Sequence, residues 1–274
     1  MYKRVLLALD LEGVNRVVGK EYLTLSQDEE QFNIAKTQAV LEINNATEAL
    51  FNAGVVKVGL WDNHGGGNNI DYSKLDSRII VIKNPAPPRM SFIQGEYDCV
   101  CYFGYHAMEG TYNGVLAHTF NSKKVQFVKI NGKKVGEIDI DAFIGAHYGV
   151  PSRFFAGGNV ACEQAKNAVS DIVTVTTKTE LGRNSAIFRD NEHLFCDIKD
   201  KIVQAVSSNG KCKKLSFPCQ IQKSFKRVED AKICLEKLLS LGIKADYLED
   251  EILVKDGHTV VANVQNFIEF TNSF

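Results

Sequence analysis

Carboxylate and imidazole side chains follow three apolar runs that are typical of buried strands, at the point where each run ends. In an open α/β sheet, ligands bind beyond the carboxyl ends of the strands, so these side chains are candidates for one site. Asp10 and Glu12 are two residues apart, and in extended backbone both carboxylates can face the same point. The runs and the residues that follow them are Val5–Leu9 with Asp10 and Glu12, Val55–Leu60 with His64, and Cys99–Phe103 with His106.

The stretch WDNHGGG at residues 61–67 leaves three kinds of site open. Its glycines can cradle a phosphate, leave room for substrate beside a metal ligand, or simply form a turn. The chain has neither a P-loop nor a dinucleotide-binding glycine pattern, so the phosphate interpretation lacks a motif. Asp62 is a candidate either to orient an imidazole or to cap the segment that follows it.

A third carboxylate comes from a predicted hairpin. Val125–Ile130 and Lys133–Ile138 flank Asn131-Gly132, a dipeptide typical of tight β-hairpins. This pattern places Glu137 on the returning strand, from which it can approach the site from the side. Two imidazoles and three carboxylates suit zinc, or two zinc ions that share one carboxylate.

Strand-like and helix-like segments alternate along most of the chain, which predicts an α/β fold with a mainly parallel open sheet flanked by helices. We expect a metal-binding catalytic domain over residues 1–212 and a smaller C-terminal α/β unit over residues 213–274. Within that unit, Ile252–Val254 and Thr259–Ala262 are predicted to frame a hairpin across Asp256-Gly257.

Composition excludes several classes of partner. The chain has 32 basic and 33 acidic residues, so no basic excess favours nucleic acid. No apolar run approaches the ~18 residues of a membrane span, and the first run is too short for a signal peptide. The seven cysteines lack paired spacing, which indicates reduced thiols in a cytoplasmic protein, with Cys99 and Cys101 in a core strand.

Five separated blocks, in order along the chain, resemble the M55 family of D-aminopeptidases, the DppA-like zinc peptidases. The likeness runs from the N-terminus to about residue 185. It implies a two-domain α/β fold, a dinuclear zinc site and a ring-shaped homo-oligomer. The blocks are LALDLEGV (7–14), WDNHG (61–65), GYHAMEGTYNGVLAHTF (104–120), INGKKVGEIDIDAFIGAHYGVP (130–151) and KTELGRNSA (178–186).

The resemblance assigns a role to each candidate. His118 would be the catalytic histidine, as acid, base or nucleophile, and Arg183 is a candidate anchor for a substrate carboxylate. Gly158 and Asn159 stand where family members carry an acidic pair, which bears on substrate preference. The residues that would hold two zinc ions per chain are Asp10, shared by both ions, and Glu12, His64, His106 and Glu137.

The implied function is hydrolysis of the N-terminal bond of short D-amino-acid-containing peptides, cell-wall fragments among them, by a metal-activated hydroxide. The alternatives are a phosphate- or nucleotide-binding α/β enzyme that uses Gly65–Gly67, and a non-catalytic peptide-binding relative of the family. Phosphate binding without zinc would support the former, and bound metal without turnover the latter.

Overall fold

The structure is a computed structural model that describes residues 1–212, 214–249 and 255–274. Its strands are β1 (Arg4–Leu9), β2 (Lys57–Asp62), β3 (Ile80–Ile82), β4 (Cys99–Tyr105), β5 (Val125–Ile130), β6 (Lys133–Lys134), β7 (Ser152–Gly157), β8 (Val173–Thr176), β9 (Lys178–Gly182), β10 (Ser185–Phe188), β11 (Cys219–Phe225), β12 (Lys244–Glu249) and β13 (Lys255–Val264). Its α-helices are α1 (Glu29–Asn52), α2 (Glu137–His147), α3 (Asn159–Ala168), α4 (Asn191–Ser207), α5 (Val228–Ser240) and α6 (Phe267–Asn272).

Six strands form a parallel sheet in the order β3-β2-β1-β4-β7-β8, and every neighbouring pair in it is parallel. This confirms the predicted α/β fold with a mainly parallel sheet. Because β1 lies between β2 and β4, the carboxyl ends of these three strands are direct neighbours. Residues that follow them therefore meet at one edge of the sheet.

The sheet is covered on both faces, as the continuous apolar strand sequences require. Along β1, Val5, Leu7 and Leu9 belong to a core that they share with α1 and α4. Leu6 and Ala8 point to the opposite face and belong to a second core, which includes side chains of α2 and of the antiparallel sheet described next. Among the described residues, no helix is both long and apolar enough to cross a membrane.

A second sheet of five strands has the order β12-β13-β11-β5-β6. Its C-terminal strands are antiparallel to one another, and β11 pairs with β5, so the segment 125–134 completes the sheet of the C-terminal segment. Lys213, where we expect the C-terminal unit to begin, lies outside the described residues, and that boundary stays a prediction.

The predicted hairpin across Asn131-Gly132 forms, because β5 and β6 pair antiparallel on either side of it, but two other details of the predicted hairpins are wrong. The returning strand β6 contains only Lys133–Lys134, and Glu137 is the first residue of α2 instead of a strand residue. Asp256 and Gly257 lie inside β13, where Asp256 pairs with Leu248 of β12, so they do not form the turn. The predicted strand Ile252–Val254 lies outside the described residues.

Candidate metal centre

The segment after β1 is pressed against β4. The backbone N–H of Asp10 donates to Phe103 at 2.8 Å, and that of Gly13 donates to Gly104 at 2.6 Å. A Cβ on Gly13 would lie 2.1 Å from the carbonyl oxygen of Tyr105, and one on Gly104 would lie 2.0 Å from that of Asp10. Two bare glycines thus allow the close approach that points the carboxylates of this segment toward β4.

His64 faces both carboxylates of that segment. Its Nδ1 lies 3.0 Å from Asp10 Oδ1 and 3.0 Å from Glu12 Oε2, and its Nε2 lies 3.0 Å from Ser26 Oγ. All three residues of the Asp10, Glu12 and His64 group are buried. The structure therefore brings together the predicted side chains that follow β1 and β2.

His106 presents an unpaired nitrogen to two further carboxylate oxygens. Its Nδ1 is 3.0 Å from the carbonyl oxygen of Ala107, which can only accept, so this nitrogen carries the proton. Its Nε2 is 3.4 Å from both Asp10 Oδ2 and Glu137 Oε1. Among the described residues, this buried Nε2 nevertheless has no hydrogen-bond partner. Once Nε2 has lost its proton, its lone pair and the two carboxylate oxygens are a set of donors that fits a bound cation.

Glu137 reaches the site from a helix. As the first residue of α2 it lies at the positive end of the helix dipole, which favours a carboxylate. Its Oε1 accepts a hydrogen bond of 2.7 Å from the backbone N–H of Phe120. Asp139 Oδ2 accepts from Gly136 N at 2.9 Å, and this contact defines the start of α2. The helical position holds Glu137 more rigidly than the predicted hairpin strand would.

His118 lies directly on His106. The two imidazole rings stack with centroids 3.8 Å apart and planes 13° apart. His118 Nδ1 is 2.8 Å from the carbonyl oxygen of Leu116, so Nδ1 carries the proton and Nε2 is left as the basic nitrogen. Ligand atoms of His106, His118 and Glu137 lie within 4.8 Å of one another, and so do those of Asp10, Glu12 and His106.

The carboxylates dominate the electrostatics of the cluster. Burial alone would lower the pKa of His64, but Glu12 and Asp10 outweigh it and raise that pKa to about 11. Burial alone would also lower the pKa of His106, but Asp10 and Glu137 outweigh burial and raise that pKa well above its usual value. In the absence of metal the cluster therefore takes up protons. Metal and protons compete for it, so metal binding weakens at acid pH.

The cluster opens into a cavity of about 420 Å³. Of the five candidate ligands, all but His106 line this cavity. Its lining also includes His118, Ser26, Arg89, Phe120 and Lys123. Asp62 does not orient an imidazole ring. Its carboxylate accepts from the backbone N–H groups of His64 and Asn69 at 3.3 and 2.6 Å, so it caps the glycine loop, as the second of its two predicted roles requires.

Comparison with known proteins decides the family. The model of the M55 peptidase family, described as D-aminopeptidase, matches residues 3–237. This chain belongs to the M55 peptidase family. The resemblance predicted from the five sequence blocks is confirmed, and with it the prediction of a peptide-bond hydrolase. Among curated relatives, the D-aminopeptidase of Bacillus subtilis (strain 168) is 24% identical over 220 residues, which are 78% of each chain.

A solved structure shows the same fold. The Zn-dependent D-aminopeptidase DppA from Bacillus subtilis, described as a self-compartmentalizing protease, superposes with a TM-score of 0.81 at 21% identity. The similarity covers 98% of this chain and 94% of that one. This M55 chain therefore has the fold of DppA along nearly its whole length.

Three residues that the sequence analysis singled out, Arg183, Gly158 and Asn159, do not line the cavity. The Arg183 guanidinium donates to the carbonyl oxygen of Ala117 at 2.6 Å, next to His118, and Arg183 does not line the cavity. Gly158 and Asn159 begin α3 beside Glu180, whose carboxyl carbon would lie 2.2 Å from a Cβ on Gly158. Glu180 thus fills the space where a side chain at residue 158 would stand.

Lys178, which opens the block KTELGRNSA, is a candidate positioning residue to which the sequence analysis gave no role. Its amine is fully buried and donates to the carbonyl oxygens of Glu12, Val14 and Val17 at 2.6, 3.0 and 2.6 Å. Burial lowers its pKa to about 8. Three hydrogen bonds from one ammonium hold the segment that carries Glu12, so Lys178 positions a candidate ligand without touching the metal site.

We expect Lys178→Met to lower zinc affinity about 10- to 100-fold, the usual cost of losing support behind a metal ligand. Lys223→Met is the matched control, because burial also lowers the pKa of Lys223 to about 8 but Lys223 lies on β11 of the second sheet and its amine donates to the carbonyl oxygen of Ser273, at the end of α6. Competition titration against a chromophoric chelator measures both affinities, with circular dichroism to confirm folding. A folded Lys178→Met variant with unchanged zinc affinity would refute the positioning role.

Proposed function

We propose that this M55 chain is a zinc-dependent aminopeptidase that removes the N-terminal residue of short D-amino-acid-containing peptides. The observation that carries the proposal is the buried, unpaired Nε2 of His106 between the carboxylates of Asp10 and Glu137. The proposed ligands of two zinc ions are Asp10, Glu12, His64, His106 and Glu137.

The arrangement of oxygens around Asp10 supports two ions. Asp10 Oδ1 is 3.0 Å from His64 Nδ1, and Asp10 Oδ2 is 3.4 Å from His106 Nε2. Glu12 accompanies the first contact and Glu137 the second. The cluster thus divides into two half-sites that share one carboxylate, the arrangement expected of a dinuclear centre.

Zinc bound there would lower the pKa of a coordinated water and polarise the scissile carbonyl group. The chain contributes His118, whose Nε2 is free because its Nδ1 proton is bonded to Leu116. Burial, and then the neighbouring His106, lower the pKa of His118, so its imidazole is neutral near pH 7. A neutral imidazole in the cavity can accept a proton and return it to the leaving amine, or attack the carbonyl carbon directly.

The substrate class rests on family membership and on the Bacillus subtilis D-aminopeptidase among its relatives. A bound metal ion can hold a neutral α-amine, which restricts cleavage to the N-terminal bond. Gly158 and Asn159 do not line the cavity, so their departure from the family's acidic pair leaves the proposed cleavage site intact.

We also infer that the chain assembles into a ring-shaped homo-oligomer in the cytoplasm. The self-compartmentalizing description of DppA supports self-association. Exposed apolar side chains on and around the β9–β10 hairpin provide a surface for it, and they are Tyr112, Leu181, Ile187 and Phe188. Sedimentation velocity tests this inference. We expect an oligomer, and a monomer would contradict the inference.

We expect turnover of D-alanyl-glycine and loss of that activity on chelation, with recovery on addition of zinc, because the cluster is the proposed source of catalysis. L-alanyl-glycine is the matched substrate and should be cleaved at least about 10-fold more slowly. Amino-acid release is measured by chromatography, and zinc by elemental analysis. Zinc-loaded protein that cleaves neither dipeptide would indicate a non-catalytic relative, and phosphate binding without zinc would favour the phosphate-binding alternative.

We expect His118→Ala to retain its zinc and lose about 10²- to 10⁴-fold in kcat, the usual contribution of a positioned acid or base. His147→Ala is the control, since His147 also stacks on a ring, that of Phe267 at 3.4 Å, but lies outside the cavity. Zinc content and kcat are measured on both variants. Loss of zinc from His118→Ala would identify His118 as a ligand. Its ligand atoms lie close enough to those of His106 and Glu137 for that outcome to be a real alternative.

A further inference from the structure

A second cavity, of about 300 Å³, adjoins the metal cavity. Asn63, Gly65 and Arg89 line both cavities, so these residues form the boundary between the two. The glycine loop forms one wall of the second cavity, and the loop that leaves β3, with Lys83 and Arg89 at its ends, forms another. A Cβ on Gly65 or Gly66 would meet nothing within 4 Å, so the wall on the glycine side is open to a ligand.

Arg89 is held in a fixed orientation at the junction. Its Nε and Nη2 donate to the two oxygens of the fully buried Asp141 at 2.6 and 2.9 Å. Tyr105 donates to the same carboxylate at 2.8 Å and accepts from Asn63 at 2.9 Å. The guanidinium also lies 5.0 Å from the ring of Trp61. Few side chains in the site are constrained by so many neighbours.

One edge of this guanidinium remains available. No hydrogen bond from Nη1 of Arg89 is found among the described residues, and the side chain is 20% exposed. Asp141 raises the pKa of Arg89, so the group stays charged. A planar guanidinium that is anchored along one edge and open along the other is suited to bind a carboxylate or another oxyanion.

The two cavities differ in their balance of charge. The metal cavity contains the carboxylates of Asp10, Glu12 and Glu137 besides Lys123 and the shared Arg89. The second cavity contains Lys83 and Arg89, and its one acid, Asp62, already accepts three N–H groups, from the backbone of His64 and from the backbone and side chain of Asn69. A ligand that spans both cavities therefore meets an acidic, metal-holding end and a cationic end.

We propose that the second cavity is the subsite for the C-terminal part of the substrate, where Arg89 and Lys83 bind its free α-carboxylate. The substrate class that fits is a short peptide with a free α-amine and a free α-carboxylate, with its amine at the metal cavity and its carboxylate at the cationic end. This proposal rests on the proposed function of the metal cavity. It transfers the carboxylate-anchoring role predicted for Arg183 to Arg89, because Arg183 donates to Ala117 and lines neither cavity.

The test compares D-alanyl-glycine and D-alanyl-glycyl-glycine with their C-terminal amides, which have the same scissile bond but no carboxylate. For the zinc-loaded protein we expect kcat/KM to be about 10- to 100-fold higher for the acid than for the amide of the better peptide, the range for hydrogen bonds to a charged group. Lys83→Met and Arg89→Lys should each reduce this acid-to-amide ratio, by lowering kcat/KM on the acid more than on the amide.

Lys36→Met is the matched control. Lys36 rests on the ring of Phe32 at 4.7 Å, much as Lys83 rests on that of Tyr72 at 4.3 Å, but it lines neither cavity. Its acid-to-amide ratio should equal that of the parent protein. A parent ratio near one, or a ratio unchanged in both Lys83→Met and Arg89→Lys, would overturn the proposal.

Calorimetric binding of the same acid and amide pairs separates this proposal from the proposed function. If zinc-loaded protein cleaves no peptide, the proposed function fails. The subsite is then still supported by tighter binding of the acid that weakens in Lys83→Met, and it is overturned by equal binding of acid and amide.

Discussion

Mutual repulsion among three buried carboxylates is the constraint on which the rest of this site depends. Asp10, Glu12 and Glu137 converge with two histidines in a space largely removed from water. Each buried charge costs several kcal/mol unless it is compensated. Protonated imidazoles supply part of the compensation. However, the Nδ1 proton of His106 is donated to a backbone carbonyl oxygen, and its Nε2 faces the carboxylates without a hydrogen bond among the described residues. Two divalent cations bound as proposed would compensate the carboxylates and use Nε2 of His106 as a ligand.

Several features of the fold hold the buried carboxylates in place despite their electrostatic repulsion. The segment after β1 is clamped from two sides, by β4 across Gly13 and Gly104 and by the ammonium of Lys178. Glu137 gains a helix N-terminus and a backbone donor from Phe120. These supports come from distant parts of the chain, so the geometry of the ligands is set by the packed fold instead of by the local loops.

The sequence could predict the ligand candidates that follow β1, β2 and β4. These three strands are neighbours in a parallel sheet, and their carboxyl ends therefore meet at one edge. Glu137 lies beside His106, as predicted of a candidate ligand, but the prediction placed it on the wrong element, since the Asn131-Gly132 hairpin signal masked the capping contact of Asp139 with Gly136. The family resemblance, and not spacing, pointed to His118, which the structure places on His106.

Arg89 and Lys178 show what sequence reasoning could not reach. Each acts through contacts with residues far away in the chain, Asp141 for the former and the segment after β1 for the latter, and no periodicity encodes such pairs. The only local signal for Arg89 is its position after a proline-rich loop that leaves β3. Arg183 lies in a block that resembles the M55 family, and Arg89 does not. The guanidinium of Arg183 nevertheless donates to the backbone beside His118.

The central claim is that zinc binds between the strand-end side chains. Crystals of the zinc-loaded protein, measured at wavelengths on either side of the zinc absorption edge, test it most directly. The account predicts two anomalous peaks in each chain that share Asp10, one beside Glu12 and His64 and the other beside His106 and Glu137, with zinc–ligand distances of about 2.0–2.2 Å. Anomalous peaks only at other positions, or no peak between these side chains at saturating zinc, would contradict it.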